Sequence, residues 1–176
     1  GSRTEDLRSP MYDQEYEMEP KEYVRKLNDI SQKKLLLLNE ILLFVRSQNE
    51  VIKGQRFEEM ELLIREKQMR MDAVDKLDVQ FAAYSSKLRE MLSISSFEEL
   101  PGYDLPGTKE LKAVIERIHQ KLKEIKVLDD ENISLVKTEM KDVREQMSRT
   151  SNDKRVQGAY YPTLNSGTSY FFDEKK

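Results

Sequence analysis

Few residues in this chain are of a type and spacing that do covalent chemistry. The one imidazole, His119, follows Glu116 by three residues, so the two share a helix face. That spacing is half of the carboxylate-histidine arrangement that holds a di-metal centre in helical bundles, and such a centre needs a second Glu-x-x-His pair that the chain lacks. Glu116 and Lys123 beside His119 fit a solvated face, so no metal site is expected. There is no Cys, which removes thiolate nucleophiles, Cys-based zinc sites and disulfides, and agrees with a reducing compartment. No glycine-rich phosphate loop and no Gly-x-Ser-x-Gly turn occur, so neither cofactor nor catalytic residue is expected. The remaining conspicuous charges are Lys67 and Arg70, which interrupt two apolar rows at one level. Such long basic stems commonly lie along a seam with their heads in water.

Aromatic side chains are distributed unevenly. Of 8 Tyr and 6 Phe, five (Tyr160, Tyr161, Tyr170, Phe171 and Phe172) fall in a low-charge stretch near the end. Residues 151–176 are expected to form a flexible tail, rich in Asn, Ser, Gly and Thr, whose aromatics serve contacts with something else. Residues 1–19 read as a flexible start, with Gly1-Ser2 an added remnant and Met11 a native beginning.

Between these ends, residues 20–150 read as one all-α domain: an elongated antiparallel helical hairpin followed by a long third helix, a coiled-coil-like three-helix bundle. With 36% charged and 38% hydrophobic residues, a core is attainable only in an elongated shape. Glycine and proline cluster near Gly54, between Pro101 and Gly107, and at the two ends. The first helix is predicted from Pro20 to before Gly54, with Tyr23, Ile30, Leu37, Phe44 and Val51 repeating every seven residues. Leu27, Ile41, Leu38, Val45 and Ile52 widen that face enough for two partners. Leu36 and Leu43 fall off it, as single exposed leucines or as a third contact surface.

The second helix is predicted to return from Phe57. Its rows are Met60, Lys67, Val74, Phe81 and Leu88, and Leu63, Arg70, Leu77, Tyr84 and Met91. Ser93 to Gly107 is predicted to be a connector holding one capped turn at Ser96-Phe97-Glu98-Glu99. Thr108 is predicted to cap a third helix that runs to about Arg149 with Leu111, Ile115, Ile118, Leu122 and Ile125 on one stripe. Leu128-Asp129-Asp130-Glu131-Asn132 interrupts this stripe, so the half beyond Asn132 is expected to project past the hairpin.

The net charge of −3 with interspersed signs leaves no basic face for nucleic acid, and no apolar run approaches a membrane span, so direct membrane insertion is not expected. Eight methionines, among them Met60, Met69, Met71, Met91, Met140 and Met147, suit either core filling or an adaptable surface. A groove left beside an out-of-register third helix would accept an amphipathic helix from a partner.

The stretch Val51-Ile52-Lys53-Gly54-Gln55-Arg56-Phe57-Glu58-Glu59-Met60-Glu61-Leu62-Leu63, followed by Arg65-Glu66-Lys67-Gln68, resembles the turn and Lys-Gln element of the FlgN-type flagellar export chaperones. Asn132 followed by Leu135-Val136 is similar to a second recurring element of that family, and Ser169-Tyr170-Phe171-Phe172-Asp173-Glu174-Lys175-Lys176 to the ends of its Gram-positive members. The resemblance implies a cytoplasmic chaperone that holds hook-filament junction (hook-associated) proteins by their C-terminal amphipathic helices and delivers them to the export gate. A monomer or weak dimer is expected when it is free. Periodicity places the substrate groove at Ile118, Leu122, Ile125, Leu128, Leu135, Val136, Val143 and Met147. Two roles are open for the tail: folding back into the empty groove, or docking on the gate as a tether. The competing reading of the whole chain is a structural coiled coil that self-associates.

Overall fold

The structure is a computed structural model, and it describes residues 18–149. Three helices dominate it: α1 (Pro20–Lys53), α2 (Met60–Leu92) and α3 (Thr108–Met147). A short 3₁₀ turn at Phe57–Glu59 precedes α2, and a second, Phe97–Gly102, lies in the connector before α3. No strand occurs among the described residues. The fold is all-α, with helices about 50 to 60 Å long at 1.5 Å per residue. The chain runs up, down and up again. Tyr23 meets Tyr84 while Gln48 meets Lys67, which sets α2 antiparallel to α1. Asn28 bonds Gly107 while Asn132 bonds Val45, which sets α3 parallel to α1.

Local chemistry fixes the helix boundaries. Pro20 opens α1, where its missing N–H has no intrahelical partner to lose. Ser93, in the left-handed region at φ 55°, ends α2, its amide donating to the Arg89 and Glu90 carbonyls. The connector turn carries the predicted capping box. Ser96 Oγ accepts from the Glu98 amide at 3.2 Å, and the Glu99 carboxylate accepts from the Ser95 and Ser96 amides at 2.9 and 3.2 Å. Those backbone bonds favour the charged form and hold the Glu99 carboxyl below its ordinary range. The cap of α3 differs from expectation. Gly107, at φ 89°, is the N-cap, and Thr108 sits inside the helix with its hydroxyl donating to the Leu105 carbonyl at 3.3 Å. Glycine takes that backbone without strain, and this outweighs the capping preference of threonine.

The central element is α1. It packs against both α2 and α3, whereas the backbones of α2 and α3 hardly approach one another. This is the physical meaning of the wide heptad face: Tyr23, Leu27, Ile30, Leu38, Ile41 and Val45 are all buried along it. Leu36 and Leu43 stay 65% and 59% exposed on its back. Apolar burial falls into two clusters. The larger takes residues from all three helices and the connector, Leu27, Leu38, Leu88, Leu100, Leu111 and Ile125 among them. The smaller joins Val51, Ile52 and Met60 to Val136 and Met140 near the α1–α2 turn. Each fully buried aliphatic side chain contributes about 1.5–3 kcal/mol relative to leaving it in water.

Two expectations are corrected. The half of α3 beyond Asn132 does not project freely, because Val136 and Met140 are buried in the smaller cluster and Glu139 reaches Gln55 in the turn. The interruption at Asp129 to Asn132 is not a slip of register either. Asp129 and Asn132 themselves are buried on the inner face, where they find polar partners.

Candidate docking cleft and polar layer

Because α2 and α3 stand apart, a trough runs between them above α1, and the connector crosses its lower end. Phe97 holds the connector in place, meeting Phe81 of α2 edge to face with centroids 5.9 Å apart. Between Phe97, Leu100 and Pro101 on one side and Leu111 and Ile115 of α3 on the other lies an open, predominantly apolar cleft of about 460 Å³. A second hollow of about 230 Å³ is lined by Ile30, Phe81, Ile115 and Ile118, with the Lys34–Asp78 ion pair (2.6 Å) at its edge. The two hollows adjoin, with Phe97, Ile115 and His119 in the lining of both, and together form the recess. His119 is exposed, a rim residue beside Lys112 and Glu116.

The eight predicted groove residues fall into different surroundings. Ile118 is buried and lines the second hollow, and Leu122, one turn on, is half-buried against the main core. Ile125 and Val136 lie wholly inside the bundle. Leu128 borders a shallow furrow with Leu42, Arg46 and Val127. Leu135 packs on the smaller cluster, and Val143 and Met147 are half-buried in the last turns of α3. The five tail residues Tyr160, Tyr161, Tyr170, Phe171 and Phe172 lie outside the described residues, as do Gly1, Ser2 and Met11. Periodicity does not mark Phe97 and Leu100 as cleft residues. They belong to a connector whose path depends on the Phe81 contact, and the Ser96 capping box is its one legible signal.

Toward the α1–α2 turn, near the end of α1 and the start of α2, sits a layer of polar side chains. Lys67 of α2 and Asp129 of α3 form an ion pair, Nζ to Oδ1 3.2 Å, with side-chain exposures of 5% and 6%. Lys67 Nζ also donates to Gln48 Oε1 of α1 at 3.3 Å. One turn along α3, Asn132 Nδ2 donates to the Val45 carbonyl at 2.9 Å, and Asn49 Nδ2 donates to Asn132 Oδ1 at 2.8 Å. The expectation that Lys67 keeps its head in water is overturned: a carboxylate and an amide oxygen replace solvent around the ammonium. Arg70 behaves differently, lying half-buried with its guanidinium carbon 4.7 Å from the Phe44 ring centroid and pairing with Glu66.

No group of His, Asp and Glu among the described residues is arranged to hold a metal ion. Nor is any described helix long and apolar enough to cross a membrane. Fold and site together define an elongated three-helix scaffold with an open apolar cleft along one side. A family model described as FlgN protein matches residues 18–163. The chain belongs to the FlgN family, whose general role is that of flagellar export chaperones. Comparison with curated proteins finds no match, and neither does comparison with solved structures.

Proposed function

We propose that this chaperone is cytoplasmic and without enzymatic activity, and that it binds the C-terminal amphipathic helices of hook-filament junction proteins. In doing so it keeps them from assembling early and delivers them to the export gate. The observation that supports this most is the recess formed by Phe97, Leu100, Ile115 and Ile118, apolar and open in the chain by itself. Its volume falls in the range of about 300–1,000 Å³ typical of ligand pockets. A helix about 10 Å wide would lie along the trough and insert two or three large side chains there. Leu122 continues the contact up α3, and Ile125 and Val136 support it from within. Leu128, Leu135, Val143 and Met147 carry the contact further along α3 for longer partners.

Titration of a synthetic junction-protein C-terminal helix into the chain tests this, with saturable binding expected. Ile115→Asp and Leu122→Asp should each weaken it by about tenfold or more, and absence of binding to the unaltered chain would end the proposal. For the tail, two roles are separated by a chain ending at Ser151: Tyr160, Tyr161, Phe171 and Phe172 as a competitor for the recess, or the tyrosines Tyr160, Tyr161 and Tyr170 as a gate tether. Loss of gate binding supports the tether, and tighter peptide binding supports the competitor.

A second reading, a self-associating coil, is favoured by the exposed heptad pair Leu36 and Leu43. Light scattering over a dilution series decides between them. A mass that falls with dilution belongs to a self-assembling coil, and a constant monomer mass to the chaperone.

A further inference from the structure

The two short elements that stand out inside the helices, Lys67-Gln68 and Asn132 with Leu135-Val136, take no part in the recess. Both feed the polar layer: Lys67 and Asn132 each supply one of its buried side chains. Three helices meet there through polar atoms, with Gln48 from α1, Lys67 from α2 and Asp129 from α3. On either side of it the contacts are apolar and form separate clusters.

Such a layer is poorly suited to adding stability, since desolvating an ammonium and a carboxylate offsets most of their attraction. What it can supply is uniqueness. The inner stripe of α3 runs Leu111, Ile118, Ile125 and Asn132 at intervals of seven, so sliding α3 by a heptad exchanges one aliphatic residue for another at most levels. At the polar level the exchange fails. A slip of seven residues in either direction sets Leu122 or Val136, in place of Asp129, against the buried Lys67 ammonium. It also replaces Asn132, the donor to the Val45 carbonyl, with Ile125 or Glu139. The pair matters for width as well as register. α2 and α3 have little direct backbone contact, and the Lys67 stem is the strut that reaches across between them.

We propose that Lys67 and Asp129, seated on Gln48 and seconded by Asn132, are positioning residues that fix the axial register of α3 and its spacing from α2. They thereby set the shape of the trough in which a partner helix docks. For the partner's identity this rests on the reading given above; for the positioning itself it rests on the chain alone.

The test compares the parent with the apolar pair Lys67→Met/Asp129→Leu and the charge swap Lys67→Asp/Asp129→Lys, each labelled at Lys76→Cys on α2 and Lys123→Cys on α3. Both labelling positions are exposed, and the chain has no other cysteine. Pulsed electron spin resonance should give one narrow α2–α3 distance in the parent and a broadened or doubled one in the apolar pair, whose melting temperature is equal or higher. The swap should return the single distance. The junction-protein peptide should bind the apolar pair about tenfold more weakly than the parent. A single unshifted distance in the apolar pair overturns the proposal, as does a melting temperature below the parent's or a folded swap that stays broad. Failure of the peptide to bind even the parent removes the docking reading and leaves the distances to decide the positioning.

Discussion

Replacing Gly107 by Ala attacks the joint that launches α3. The backbone there has φ 89°, and a Cβ would stand 3.0 Å from Asn28 Nδ2 and 3.2 Å from Val24 Cγ1. Val24 is fully buried and has no room to retreat. Left-handed backbone at a non-glycine residue costs about 1–2 kcal/mol. Displacing Asn28 also breaks its 3.0 Å bond to the Gly107 carbonyl, a net loss of about 1 kcal/mol. Crowding of Val24 adds a further ~1 kcal/mol at the low end of overpacking. The sum is about 3–4 kcal/mol, which at roughly 2–4 °C per kcal/mol for a chain of this size lowers the melting temperature by about 6–16 °C. Urea unfolding followed by far-ultraviolet circular dichroism measures it directly. Because Thr108 and Leu111 line the recess, peptide binding should weaken in the same variant. A loss under about 1 kcal/mol would refute the reasoning, showing that the connector relaxes around the new methyl group at little cost.

Other substitutions discriminate equally well. Leu88→Ala, at a wholly buried α2 position, should cost about 2–5 kcal/mol in the same urea assay. Leu36→Ser with Leu43→Ser should change stability by no more than about 0.5 kcal/mol each, because both side chains are exposed, and should leave the mass in light scattering unaltered if the free chain is the monomer proposed above rather than a self-associating coil. Asp129→Leu alone leaves the buried Lys67 ammonium with Gln48 as its remaining polar partner and should cost about 3–5 kcal/mol, all of it recovered when Lys67→Met is added. The depressed Glu99 carboxyl gives a pH dependence of defined sign. Its folded value lies below the unfolded 4.5, so the capping contribution is present above 4.5 and is lost as pH falls through the folded value. Amide resonances of Ser95 and Ser96 should therefore titrate with a midpoint below 4.5, and Glu99→Gln should abolish that titration.

Helix positions are the legible part of this fold. Pro20, Gly54, the Ser96 capping box and the proline-glycine connector are local signals, and the observed boundaries lie within a few residues of them. The wide heptad face of α1 likewise announces two neighbours, since hydrophobic spacing alone determines which arc of a helix must be covered. What periodicity cannot supply is the rotation and spacing of one helix against the next. Lys67 reads as a seam residue with a solvated head because its carboxylate, Asp129, arrives 62 residues later on another helix. The recess is concealed for another reason: much of its wall is the connector, whose path follows from the Phe81–Phe97 contact and carries no periodic signal. Ile118 reaches it on its stripe, whereas Leu122 is half-buried against the main core and Ile125 and Val136, on the continuation of that stripe, are interior. A stripe identifies what is covered, and only the packing of α1 between two helices that stand apart distinguishes cover by the chain itself from cover left to a partner.

The most direct measurement is methyl NMR of the isoleucines during titration with a junction-protein C-terminal helix cut to about four turns, roughly 22 Å. Ile30, Ile115 and Ile118 line the recess, and Ile52 and Ile64 sit near the α1–α2 turn at the other end. The account predicts saturable shifts at Ile30, Ile115 and Ile118, with Ile52 and Ile64 unmoved. Shifts confined to Ile52 and Ile64, or none at a saturating excess of peptide, would contradict it.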